Sequence, residues 1–236
     1  AINGFFWRDN SRKSIVHYIH QSREQFYMMA MESLLDTQPE HKDRSRWDES
    51  VHLYAEYILS IFDYTAPYNM IPSGIYHIDE PSDTEAFYAL HLFPPADARE
   101  RYDRQIRNGV KITDEFYIKR FPIWFNIFNG NNAIILSTAK AAAICGNLLD
   151  DRRLKEIALY QLYWISGRNP FNQSMIYGEG AYYPPMDSFS SGEIIGAIPV
   201  GIKTVGDEDV PCWPQTTNAC YKEVWVTSAG KWLSEI

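Results

Sequence analysis

The chain has 236 residues, 45% of them hydrophobic and 15% aromatic, and carries a formal net charge of −8 at pH 7. That length and apolar content can fill a core, which excludes a disordered chain. The acidic balance, with Lys and Arg scattered, argues against a nucleic-acid surface, and no apolar run approaches the roughly 20 residues of a membrane helix. In chain order, apolar residues recur at helical spacing in Ile15, Ile19, Phe26, Met29, Ala30 and Leu34, behind Asn10 or Ser11 as cap, which predicts a long first helix. Val51, Tyr54, Ala55, Ile58 and Phe62 mark a second. Pro67, Pro72 and Gly74 punctuate a loop from Thr65 to Ile78, with room for one small hairpin at Ile75 to Ile78. Pro94 and Pro95 open a polar helix that ends near Gly109.

The clearest helical pair follows. Asn131 or Asn132 caps a run through Ile134, Ile135, Thr138, Ala142 and Cys145, with Gly146 as its left-handed stop. A short turn leads to a partner that starts near Asp151, carries Leu154, Ala158, Leu162 and Ile165 on one stripe, and ends at Gly167 ahead of Pro170. Helices joined so tightly form an antiparallel hairpin. Beyond Asn169, glycine, proline and aromatics dominate until a final helix over Tyr221 to Leu233. Six or seven helices in hairpins, long loops and little strand predict an all-α domain over 1–236. Of the three cysteines, Cys212 and Cys220 are close enough in sequence to bridge. The chain starts at Ala1 without an export signal, so a signal is expected to have been removed or never present, and the early Phe5, Phe6 and Trp7 suggest a start inside a domain.

The stretch Trp164-Ile165-Ser166-Gly167-Arg168-Asn169-Pro170, then Ser174 and Gly178-Glu179-Gly180, resembles a signature near the C-terminal end of family nine glycoside hydrolases. There a helix ends in Gly-x-Asn-Pro and is followed by Ser and Gly-x-Gly. Tyr221-Lys222-Glu223-Val224 is similar to the segment that carries that family's general acid, with Glu223 as the matching carboxylate, and Gly130 to Ser137 resembles the start of a late barrel helix. The resemblance covers about the last hundred residues. It implies an (α/α)₆ toroid of helical hairpins, of which this chain would be the C-terminal part, a carbohydrate substrate, no cofactor or metal, and a secreted or periplasmic setting. The family's paired histidines and arginine after Gly-x-Gly are absent here, where the chain reads Tyr182-Tyr183-Pro184-Pro185, and its Asp-rich base motif has no counterpart.

Cleaving a glycosidic bond needs one carboxylic acid to protonate the leaving oxygen and a second carboxylate to activate water or attack carbon. Glu223, between Tyr221 and Trp225, is either that acid or a surface glutamate at a helix start. Asp207 and Asp209, in an acidic loop, are candidate catalytic partners or a solvated turn. Glu179 lies between two glycines that allow close approach of a ligand. Trp213, Trp225, Trp47 and Tyr183 are candidates to stack on sugar rings, and Asn218 to bind hydroxyls, with core packing as the alternative for each aromatic. His17, His20 and Glu24 on adjacent turns of the first helix make a polar cluster, either site-lining, His20 included, or structural. The expected function is glycoside hydrolysis by carboxylate acid–base chemistry. The rivals are a polysaccharide lyase, with Tyr183 and His20 in place of a carboxylate pair, and a helical glycan-binding protein without catalysis.

Overall fold

A computed structural model describes residues 2–17, 22–91, 93–123, 130–184, 193–213 and 223–235. Among them lie seven α-helices: α1 Gln25–Thr37, α2 Arg44–Phe62, α3 Thr84–Leu90, α4 Ala98–Arg107, α5 Asn132–Leu148, α6 Arg152–Ile165 and α7 Val226–Glu235. Five short strands join them: β1 Gly74–His77, β2 Val110–Lys111, β3 Phe116–Lys119, β4 Lys203–Thr204 and β5 Pro211–Cys212. β1, β3 and β2 form a three-stranded antiparallel sheet in that order, and β4 pairs with β5. The all-α toroid expectation is corrected here: the chain is of mixed α and β character, with a sheet built into its centre. No helix among the described residues is long and apolar enough to cross a membrane.

The sheet escapes sequence patterning for a physical reason. Ile75 pairs with Ile118 and Tyr76 with Tyr117. The two isoleucines belong to the core built by α1, α2, α5 and α6, whereas the two tyrosines belong to a second core with Phe87, Tyr102 and Ile106. Successive side chains of a strand point to opposite faces, and here each face meets its own core. All four residues of β1 are buried, so the polar–apolar alternation that announces a half-exposed strand is missing.

The expected long first helix is also shortened. Among the described residues of this stretch only Gln25–Thr37 is helical, and residues 2–17 form no helix. Arg8 N donates to Ser14 O and Val16 N to Phe6 O, so this segment doubles back on itself. Asp9 Oδ1 accepts from Ser11 N, which makes the Asp9-Asn10-Ser11 stretch a tight turn rather than a helix cap. Phe5 and Trp7 meet Tyr57 and His77 edge-on, Phe5 also lies tilted against Phe116, and Phe6 stacks on Tyr27, a use of aromatic side chains that favours extended backbone.

The α5–α6 hairpin is present as expected, with two changes of detail. Gly146 lies inside α5, where a Cβ would come 2.9 Å from Lys155 Cγ, so this glycine serves close packing with α6. The left-handed residue in the turn is Asp150, and Asp151 caps α6 by accepting from Leu154 N. Asn131 does not cap α5 with its side chain. Its Oδ1 instead accepts from Ile202 N, and Asn132 Nδ2 donates to Pro199 O, so the pair holds the segment 199–202 against the helix start. A third core of Ile135, Leu136, Trp164, Ile165, Met175, Ile198 and Ile202 seals this contact, each large side chain worth on the order of 1.5–3 kcal/mol when buried.

Candidate functional site

The C-terminal third is a stack of short extended segments laid on the start of α5. Gly167, with φ at +115°, ends α6, and Asn169 then staples the turn. Its Nδ2 donates to the carbonyls of Trp164 and Gln173, while its Oδ1 accepts from Phe171 N. The Gly-x-Asn-Pro sequence therefore has a local structural role, that of reversing the chain after a helix. Tyr177 N donates to Ala197 O and Gly196 N to Tyr177 O, which pairs the second segment with the third. Val200 N donates to Glu223 O and Trp225 N to Ile198 O around an antiparallel bridge of Pro199 and Val224. Gly201 must be glycine, because its φ is +114° and a Cβ would lie 2.7 Å from Asn132 Cγ.

Glu223 thus sits on a short extended segment, bridged to residues 198–200 and leading into α7. It is partly buried, and loss of water raises its carboxyl above the ordinary value, while the Trp225 indole acts in the opposite direction as a donor. Beyond it, Ala229 N donates to Trp225 O and faces a groove of about 600 Å³. Glu179, Ile195, Trp232 and Leu233 line this groove over Ser174 and Ile176. Glu223 lies on the segment entering the helical wall and is not itself a lining residue. Glu179 is exposed on the turn between Gly178 and Gly180, whose φ values of +78° and +80° are left-handed. Tyr183 is half-exposed and meets Tyr177 edge-on at 5.3 Å.

The other expected site residues are dispersed. Asp207 accepts from Arg101 Nε at 3.0 Å and forms an ion pair with Arg104 at 3.1 Å, so its carboxylate is taken up by α4. Asp209 is buried, accepts from Arg120 N and Phe121 N, and pairs with Lys119 Nζ at 3.2 Å. Trp213 is buried beside Phe171 in the third core. Trp47 stacks on His41 at 4.7 Å and lines a separate shallow pocket on α2. His20, Asn218 and Cys220 lie outside the described residues, the last of them with the bridge considered for Cys212.

A second concave site, absent from the sequence reading, lies at the N-terminal side. A cavity of about 230 Å³ is lined by Arg8, Ser14, His17, Glu80, Phe87 and Tyr102 with others. Glu80 is almost wholly buried, and four donors surround its carboxylate. Oε1 accepts from His77 N at 2.8 Å and Ile15 N at 3.4 Å; Oε2 accepts from Tyr102 Oη at 2.8 Å and meets His17 Nε2 at 2.7 Å. The His17 ring stacks on Tyr76 at 3.9 Å. Glu24, expected beside His17 on one helix, lies ahead of α1, where its oxygens accept from Tyr54 Oη and Thr138 Oγ1 and partial loss of water raises its carboxyl. Glu80 could not be found from sequence, since its partners stand up to 65 residues away and no local spacing connects them.

No protein-family model matches the chain, and no curated protein matches it. The likeness to family nine glycoside hydrolases therefore rests on the motif residues alone.

Proposed function

We propose that the chain hydrolyses glycosidic bonds in a polysaccharide or oligosaccharide, with Glu223 as proton donor. The observation that carries the reading is the raised carboxyl of Glu223 on the segment that enters the helical wall of the largest groove described. A carboxyl raised above its ordinary value holds its proton more firmly and can give it to the leaving oxygen as the glycosidic bond breaks. Glu179 is the carboxylate that lines the groove and is assigned to sugar hydroxyls or the attacking water, while Trp232 in the groove wall offers a flat apolar face to a sugar ring. The Gly167-Arg168-Asn169-Pro170 and Glu223-Val224 segments, similar to those of family nine hydrolases, support the same assignment. A secreted or periplasmic setting goes with this substrate class.

The test is incubation with a panel of plant, algal and host glycans, reading new reducing ends and ultraviolet absorbance for the native protein and Glu223→Gln. Loss of about 10²–10⁴-fold in release by a folded variant is expected for a general acid. Ultraviolet-absorbing products would point to a lyase instead. Glycan binding without turnover, unchanged in Glu223→Gln, would make the protein a binder.

A further inference from the structure

The N-terminal cavity has features that the groove does not explain. Its volume, about 230 Å³, falls below the roughly 300–1,000 Å³ common for drug-sized ligands, which suits one ring rather than a chain. One wall is built by Phe87 and Tyr102, both buried and in edge contact at 5.6 Å, and the cavity's polar groups come from three separate parts of the fold. Arg8 Nη2 pairs with Glu85 at 2.7 Å, while Arg8 Nη1 is buried with no hydrogen-bond partner among the described residues. A buried donor left unmade is costly, so a ligand acceptor placed there gains what the protein lacks. Ser14 Oγ donates to Asp83 and keeps its acceptor lone pairs.

Charge decides the class of ligand. Glu80 already receives two donors on each oxygen, and Asp83, engaged by Ser14 Oγ and Ala86 N, is not among the lining residues, so no lining carboxylate is left to hold a cation. An anion would be repelled by the buried Glu80 carboxylate, against which Arg8, already paired with the exposed Glu85, offers a single cation. What remains is a neutral molecule with both acceptors and donors on a compact ring.

We infer that this cavity is a second carbohydrate site, which holds a single neutral sugar ring against the wall that Phe87 and Tyr102 build together, with a ring oxygen or hydroxyl on Arg8 Nη1. The choice of a sugar among neutral polyols rests on the glycan-cleaving function proposed above; the site itself does not. Ala89, exposed at the cavity's edge on α3, provides a way to obstruct it without removing any contact.

The test is calorimetric titration of the full chain with glucose, galactose, mannose and xylose, with myo-inositol, glucuronate and glucosamine as comparison ligands. At least one neutral monosaccharide is expected to bind. Arg8→Ala should weaken it by about tenfold, as expected for loss of one charge-assisted hydrogen bond, and Ala89→Trp should abolish it with an unchanged melting curve. Glu223→Gln should bind the monosaccharide like the native chain, whether or not it releases glycan, so failure of the hydrolase reading is told apart from failure of this one. The inference is overturned if no neutral monosaccharide binds, if both cavity variants bind normally, or if inositol, glucuronate or glucosamine binds more tightly than every neutral sugar.

Discussion

Two residues show how burial tunes a proton, in opposite directions for an acid and a base. Loss of water raises Glu223, and the Trp225 indole partly offsets the rise. A general acid works in its protonated form, so turnover should fall as pH climbs through the Glu223 value, and this carboxyl should own the basic limb of the kcat/KM profile. Trp225→Phe removes the donor that favours the anion and should move that limb to higher pH; a limb that stays in place or moves down would remove Glu223 from the role. His91 shows the opposite sign. Its ring lies against Phe87 and Tyr102, and burial pushes its pKa down to about 3. Its folded value is thus below the ordinary 6.5, so the stability it represents is present above pH 6.5 and lost as pH falls toward 3. His91→Gln should flatten the acid side of the stability curve by up to about 1.4 kcal/mol per pH unit, checked by denaturant melts between pH 6 and 4.

At the scale of elements, the loop between β4 and β5 acts as a clamp. Asp207 reaches α4 through Arg101 and Arg104, and Asp209 reaches the end of β3 through Lys119 and two backbone N–H groups. The two acids stand two residues apart, yet their costs of removal should differ. Asp207 faces arginines that remain partly exposed, so Asp207→Ala should cost about 1 kcal/mol or less. Asp209→Ala would leave Lys119, fully buried, without its counter-charge and two N–H groups without an acceptor, at about 3–5 kcal/mol. Chemical denaturation of the two variants checks this, and equal losses would show that the buried pair is not what holds the hairpin. From sequence, Asp207 and Asp209 fit a catalytic or a solvated role alike, because a run of acids looks the same whether or not cations fold over it.

For the whole molecule, Glu80 is the junction. It joins the N-terminal segment at Ile15 and His17, β1 at His77 and α4 at Tyr102. Glu80→Ala would strand several buried donors at once and should cost about 3–5 kcal/mol, with the N-terminal segment loosened first. Because Trp7 packs against His77 and Phe116, a change in tryptophan fluorescence ahead of the main unfolding transition would report that loosening. A single transition at unchanged denaturant would mean that the segment is held by its aromatic contacts alone.

What could be read from the chain by itself was local. The α2, α5 and α6 helices, the turn at Gly167 and the aromatic, loop-rich C-terminal third follow from periodicity, capping and punctuation that act within a few residues. Tertiary structure alone decided the rest. The central sheet shows no alternation because a core covers each face, and the first helix yields to a turn made by Asp9. The asparagines at the start of α5 bind a segment some 70 residues onward instead of capping, and Glu80 draws its partners from as far as 65 residues. Such pairings depend on which surfaces meet once the chain is closed, and no spacing along a single segment encodes them.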